Sequence, residues 1–164
     1  MKIAFGSNAR VGKSEASNYL VSKNEGVVLN FSDPVYDIMY YTQRVCGFSE
    51  IKDRDLLRLI GTWARNKDAD TWVNILINKI LHINNKNIFV SDVRFPNEYD
   101  ALKKLGFLIV KIERSGNENL RNHESETALE GYEWDFIIDN NGSLEDFHDK
   151  LDKLCFSIKI ENKL

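Results

Sequence analysis

Phe5-Gly6-Ser7-Asn8-Ala9-Arg10-Val11-Gly12-Lys13-Ser14 lies between a short apolar run, Ile3 to Phe5, and a helical pattern, Glu15 to Val21. A strand, a glycine-bearing loop ending Gly-Lys-Ser and then a helix is the context of a phosphate-binding loop. In such a loop, backbone N–H groups point inward and form a nest for phosphate, and the helix dipole adds partial positive charge. Lys13 is placed to reach the β- and γ-phosphates and Ser14 to offer a hydroxyl to Mg²⁺. The candidate nucleotide contacts are Ser7, Asn8, Ala9, Arg10, Val11, Gly12, Lys13, Ser14 and Glu15. The usual first glycine of the motif is Ser7 here, and a backbone needing φ > 0 at that point would cost a serine.

Working outward, the remaining apolar runs fall at Val27–Phe31, Ile88–Asp92, Phe107–Ile112 and Phe136–Ile138. Between them lie helical patterns. Ser32-Asp33-Pro34 signals a helix start, with Val35, Ile38 and Met39 expected inward. Leu56, Leu57, Ile60, Trp63 and Ala64 recur at helical spacing. Asp70 is the expected cap of the helix bearing Trp72, Val73, Leu76, Ile77 and Ile80, Pro96 opens another, and Ser143 caps the last. Strands alternating with helices give an α/β fold with a parallel sheet covered on both faces. Two insertions exceed the minimal alternation: the helices from Pro34 to His82 and the polar stretch from Glu113 to Glu130.

With 164 residues the chain reads as a single domain, 1–164, able to bury a core without disulfides or metals. A net charge of −3 gives no reason to expect a nucleic-acid polymer or an anionic membrane as partner. Cys46 and Cys155 have no metal-type spacing and suit free thiols in a reducing cytosol. No apolar run approaches a membrane span, and the first residues begin a strand. Cytoplasm is the expected location.

Asp92, at the end of a buried strand, is the candidate metal-organising carboxylate, with Ser14 as its metal-binding companion; a turn cap before Pro96 is the competing reading. Arg94 faces the same crevice and, with Arg65, is a candidate for holding a second phosphate bidentately. For each, a surface salt bridge competes. Arg114 and Arg121 lie on the polar stretch, where an arginine neutralises charge on a transferring phosphoryl group; a solvated loop competes. His123 and Glu126 read as structuring that stretch or touching substrate. No general base is required, because a phosphate monoester with a second pKa near ~6 is already an oxyanion at neutral pH. Among Tyr36, Tyr40, Tyr41, Trp63 and Trp72, most are core and one or two are candidates to stack on a base.

These segments together resemble the bacteriophage-type deoxynucleoside monophosphate kinases. The resemblance rests on the N-terminal loop, Ser32-Asp33-Pro34, Gly61-Thr62-Trp63-Ala64-Arg65, Asp70-Thr71-Trp72 and Ser91-Asp92-Val93-Arg94-Phe95-Pro96-Asn97-Glu98. His123-Glu124-Ser125-Glu126 and Asp135 to Asn140 complete it, in the family's order over nearly the whole chain. It implies a three-layer P-loop kinase fold with a central five-stranded sheet, a monophosphate-binding helical region at about 33–82 and a lid at about 113–130. It further implies ATP and Mg²⁺ as cofactors, a dNMP acceptor contacted by Asp33, Tyr36, Arg65, Trp72, Asp92, Arg94, His123 and Glu126, and catalysis by Lys13, Arg94, Arg114 and Arg121. A phage or viral origin, hence a host cytoplasm, is implied too, and a homodimer is left open. Two alternatives stand beside it: a kinase of the phosphomevalonate type, whose Ser-Asp-x-Arg and x-Glu-Ser-Glu segments are similar, and a nucleotide-dependent switch or binding module.

Overall fold

The computed structural model describes residues 1–6, 8–84, 86–116 and 127–161. They form two compact units, 1–28 with 84–164, and 29–83.

The first unit is built on a five-stranded parallel sheet in the order β2-β3-β1-β4-β5. Its strands are β1 (Lys2–Gly6), β2 (Gly26–Leu29), β3 (Asn87–Val93), β4 (Leu108–Glu113) and β5 (Phe136–Asp139). Helices α1 (Lys13–Lys23), α5 (Pro96–Lys104) and α6 (Leu144–Glu161) cover it, with α2 to α4 belonging to the second unit. Successive strand residues face opposite ways, and the burial follows that alternation. Ile3, Phe5, Phe89, Val110, Ile112 and Ile138 pack with Ala16 and Leu20 of α1 and Phe147, Leu151 and Leu154 of α6. Ala4, Ile88, Val90 and Ile109, turned the other way, are buried as well, as is Leu102 of α5. A sheet buried on both faces needs continuous apolar strands, which is how the sequence reads.

This strand order places a topological switch at β1. The connection through α1 leads to β2 on one side, whereas that through α5 leads from β3 to β4 on the other. Ligands of open parallel sheets bind beyond the carboxyl ends of the strands at such a point. The loop after β1 begins there.

The second unit contains α2 (Asp33–Val45), α3 (Arg54–Lys67) and α4 (Thr71–Leu81). Its small core gathers Val35, Ala64 and Trp72, with Leu57, Ile60 and Ile75 against them. Two apolar residues expected inward are not: Ile38 is 42% and Trp63 62% exposed. Helical spacing identifies an apolar stripe, but a helix as short as these buries only the part a neighbour covers. The caps differ as well. Neither Ser32 nor Asp70 makes a side-chain cap hydrogen bond. Asp53 does so at the start of α3, accepting from the N–H groups of Asp55 and Leu56 at 3.0 Å. Ser143 caps α6 as expected, accepting from the Asp146 N–H at 3.1 Å. Both cysteines are free thiols, and among the described residues no helix is long and apolar enough to cross a membrane.

Candidate active site

The loop leaves β1 at Gly6 and enters α1 at Lys13. Two of its described residues have positive φ, Arg10 at 64° and Gly12 at 109°. Gly12 must be glycine twice over. Its φ lies beyond the left-handed basin of L-residues, and a Cβ there would fall 2.6 Å from Asn140 Nδ2. Arg10 adopts the left-handed conformation at a cost of about 1–2 kcal/mol. The sequence located the loop's backbone tension at Ser7, which lies outside the described residues; within them it falls on Arg10.

Lys13 is only 7% exposed, and its ammonium donates to the Asn8 carbonyl at 2.5 Å. The side chain therefore lies across the loop instead of reaching for solvent. The first internal bond of α1 is Ala16 N–H to Gly12 O, 2.9 Å, so the N–H groups of Lys13, Ser14 and Glu15 precede it and present the positive end of the helix. Ser14 is exposed. Glu15 is engaged from α6: its Oε1 lies 2.9 Å from His148 Nε2, and the His148 ring stacks on Tyr19 at 3.8 Å.

The ends of the two strands that flank β1 deliver the other candidates of this unit. Ala4 pairs with Val90 but Gly6 pairs with Val93, so β3 carries one extra residue across Ser91 and Asp92. Such a bulge re-aims side chains beside a site, and half-buried Asp92 sits in it. Arg94, half-buried, follows directly. Its N–H and that of Phe95 donate to one oxygen of buried Glu98, at 2.7 and 3.0 Å. That carboxylate fixes the turn from β3 into α5 as a capping glutamate does. Arg114 is exposed immediately after β4.

Three residues at this edge are not among the candidates named from the sequence. Trp134 lies against Gly6: a Cβ there would meet its ring at 2.6 Å. Tyr99 holds the segment in place, meeting Trp134 edge-on at 6.2 Å and donating its hydroxyl to the Glu133 carbonyl at 2.5 Å. Asn140, just past β5 and 8% exposed, donates through Nδ2 to the Val11 carbonyl at 2.8 Å.

In the second unit, Asp33 receives the Asn30 N–H at 3.0 Å on one oxygen and the Asn30 amide at 2.9 Å on the other. Tyr36 is half-buried beneath the Lys52 ammonium, 5.2 Å from its ring centre. The Arg65 guanidinium lies along Gly61: a Cβ there would stand 3.4 Å from its Nη2. Trp72 is 4% exposed and donates Nε1–H to Gly61 O at 3.1 Å, so its indole is given to the core of this unit. A hollow of about 510 Å³ is lined by Asp37, Ile38, Tyr40, Tyr41, Arg44 and Glu50, and so includes two of the aromatic residues considered for base stacking. Arg121, His123 and Glu126 lie outside the described residues.

Backbone amides and a buried ammonium turned to one side of a loop, at the switch point of a parallel sheet with helices on both faces, have a polyphosphate as their chemical counterpart. The architecture and the loop are those of an α/β P-loop kinase fold. Comparison with known proteins narrows the class: the family model described as Deoxynucleotide monophosphate kinase matches residues 51–151, and the chain belongs to that family. The uncharacterized protein ORF77 of Ictalurid herpesvirus 1 (strain Auburn) is 32% identical over 156 residues, covering 91% of this chain and 68% of that protein. A protein of Acanthamoeba polyphaga mimivirus, provisionally named a deoxynucleotide monophosphate kinase, is 26% identical over 170 residues, covering 85% and 88%. The deoxynucleotide monophosphate kinase of Escherichia phage RB69 is 34% identical over 65 residues, 40% of this chain and 27% of its own. The phosphomevalonate-type and switch readings are not favoured by these matches.

Proposed function

We propose that the chain transfers the γ-phosphoryl group of ATP to a deoxynucleoside monophosphate, giving ADP and the diphosphate. The observation that carries this reading is Lys13 lying across its loop, with its ammonium on Asn8 O, 2.5 Å away, in a chain matched to the kinase family over residues 51–151. Lys13, Arg10 and the loop amides hold the ATP phosphates. For the acceptor monophosphate the candidates are Arg94, after β3, and, in the helical region at about 33–82, Arg65 with Asp33 and Tyr36; Trp72 supports that region from its core. Arg114 or Arg121, on a lid at about 113–130, closes over the transferring group, where such an arginine is worth about 10³–10⁵ in rate.

An oxygen of the acceptor phosphate donates an electron pair to the γ-phosphorus. The bond from that phosphorus to the β–γ bridging oxygen breaks, and its electrons leave with ADP. The acceptor's second pKa near ~6 makes it an oxyanion already, so positioning and charge neutralisation suffice without a base. Mg²⁺ fits the residues present. Ser14 and Asp92 are hard oxygen donors, the kind taken by an ion that binds through one or two protein ligands plus phosphates and water. When bound, it would neutralise charge on the β- and γ-oxygens.

Two substitutions test the division of labour. Lys13→Ala is expected to lower kcat by about 10³-fold or more, in line with removal of a positioned charge from the transferring phosphates. Arg94→Ala is expected to raise the KM for monophosphate with little change for ATP. Near-normal rates in the first, or an unchanged acceptor KM and kcat in the second, would remove that residue from the site.

A further inference from the structure

We infer that Asn140 is a positioning residue for the phosphate loop, setting the direction of a phosphate-binding amide through its hold on the Val11 carbonyl. The inference rests on the kinase reading above and adds to it a residue at the far edge of the sheet.

The argument begins with the peptide between Val11 and Gly12. In a planar trans peptide the carbonyl and the following N–H point in opposite directions. Whatever fixes the Val11 oxygen therefore fixes the Gly12 N–H. That oxygen receives Asn140 Nδ2–H at 2.8 Å in a buried setting, so the Gly12 N–H points away from Asn140. The amide orientation follows from chemistry: only the NH₂ end of Asn140 matches a carbonyl. Asn140 is itself held, its own N–H donating to Glu113 O at 2.8 Å, at the end of β4. A Cβ on Gly12 would also stand 3.4 Å from Phe147 Cε1, so α6 packs close to the Gly12 Cα. One side chain thus ties together the ends of β4 and β5 and the last turn before Lys13. In the sequence Asn140 stands only as the last residue of the Asp135 to Asn140 segment, with no role of its own.

The test is calorimetric titration of the full chain with ADP and, separately, with a dNMP. Asn140→Asp keeps the shape but places a carboxylate against a carbonyl oxygen, so the peptide loses its clamp. At pH ~8 the variant is expected to bind ADP about 10- to 100-fold more weakly, the range of one hydrogen bond to a charged group, with dNMP affinity unchanged. On lowering the pH toward ~5.5, a carboxyl buried in that position takes up a proton and can again donate to Val11 O. The ratio of variant to wild-type affinity should then recover. The charged groups around the position are Glu113 with Lys111, Asp139 with Lys150, Asp146 with Ser143, and Glu15 with His148. All are common to both proteins, as is Lys13, so the ratio isolates residue 140. If the aspartate variant does not fold, Asn140→Ala carries the test, with a selective and pH-independent loss of ADP affinity expected. ADP affinity within twofold of wild type, or equal losses for ADP and dNMP, would overturn the inference while leaving the kinase reading intact. A wild-type chain that bound no ADP would overturn both.

Discussion

Replacing Gly12 with alanine should both destabilise the fold and uncouple it from nucleotide. The backbone cost comes first. At φ 109° an L-residue sits outside the left-handed basin, and about 1–2 kcal/mol is a lower bound for that. The steric cost is separate. The new Cβ would lie 2.6 Å from Asn140 Nδ2, so Asn140 must withdraw and the Val11 carbonyl loses a buried donor, which costs about 1–3 kcal/mol. Together these give about 2–5 kcal/mol, a large part of the ~5–15 kcal/mol that holds a domain folded. For a chain of this size the midpoint should fall by roughly 5–20 °C. Thermal unfolding followed by circular dichroism, with and without saturating ADP, measures both effects. Wild type should gain stability from ADP by mass action, and the variant should gain little. A variant melting within about 2 °C of wild type, with its full gain from ADP, would show that neither the φ nor the clearance matters and would refute the reasoning.

Gly6→Ala drives a Cβ into the Trp134 ring at 2.6 Å and should destabilise by about 1–3 kcal/mol with a change in tryptophan fluorescence; unchanged emission and unfolding would deny the contact. Ser17, buried in α1, has a hydroxyl with no hydrogen-bond partner, so Ser17→Ala should raise stability by about 1 kcal/mol in urea titrations, and a loss would reveal a hidden partner. The Tyr19 hydroxyl donates to Asp152 at 2.8 Å, and that bond, with some burial and the nearby carboxylates, pushes its pKa up to about 12. Because the folded value is raised, the bond's contribution is complete below the ordinary tyrosine pKa of about 10 and is lost as pH climbs toward the folded value. Ultraviolet titration should show Tyr19 among the late tyrosines, beside Tyr99, whose pKa burial also raises; the Tyr19 contribution should be absent in Tyr19→Phe and shifted earlier in Asp152→Asn.

The sheet was legible because burial on both faces leaves little choice of residue. Runs such as Ile88-Phe89-Val90 and Phe107 to Ile112 announce themselves, and the Gly-Lys-Ser ending fixes where the loop meets α1. What escaped was whatever depends on a partner distant in the chain. Asn140 meets Val11 across 129 residues only because β4 and β5 follow β1 in the sheet, an order that no local pattern carries. Trp134 reaches Gly6 by the same route. The bulge at Ser91 and Asp92 is a mismatch between two strands, so neither strand shows it alone. Ile38 and Trp63 were expected inward because periodicity finds an apolar stripe without saying what covers it. The left-handed turn falls on Arg10, a residue type that gives no warning of it.

The central claim is a transfer between two phosphates, and it is tested most directly with ATP labelled at the γ-phosphorus and each dNMP in turn. The account predicts label in the deoxynucleoside diphosphate, one for each ADP formed, and its loss in Lys13→Ala. Label released only as inorganic phosphate, or no ATP turnover with any deoxynucleotide, would contradict it.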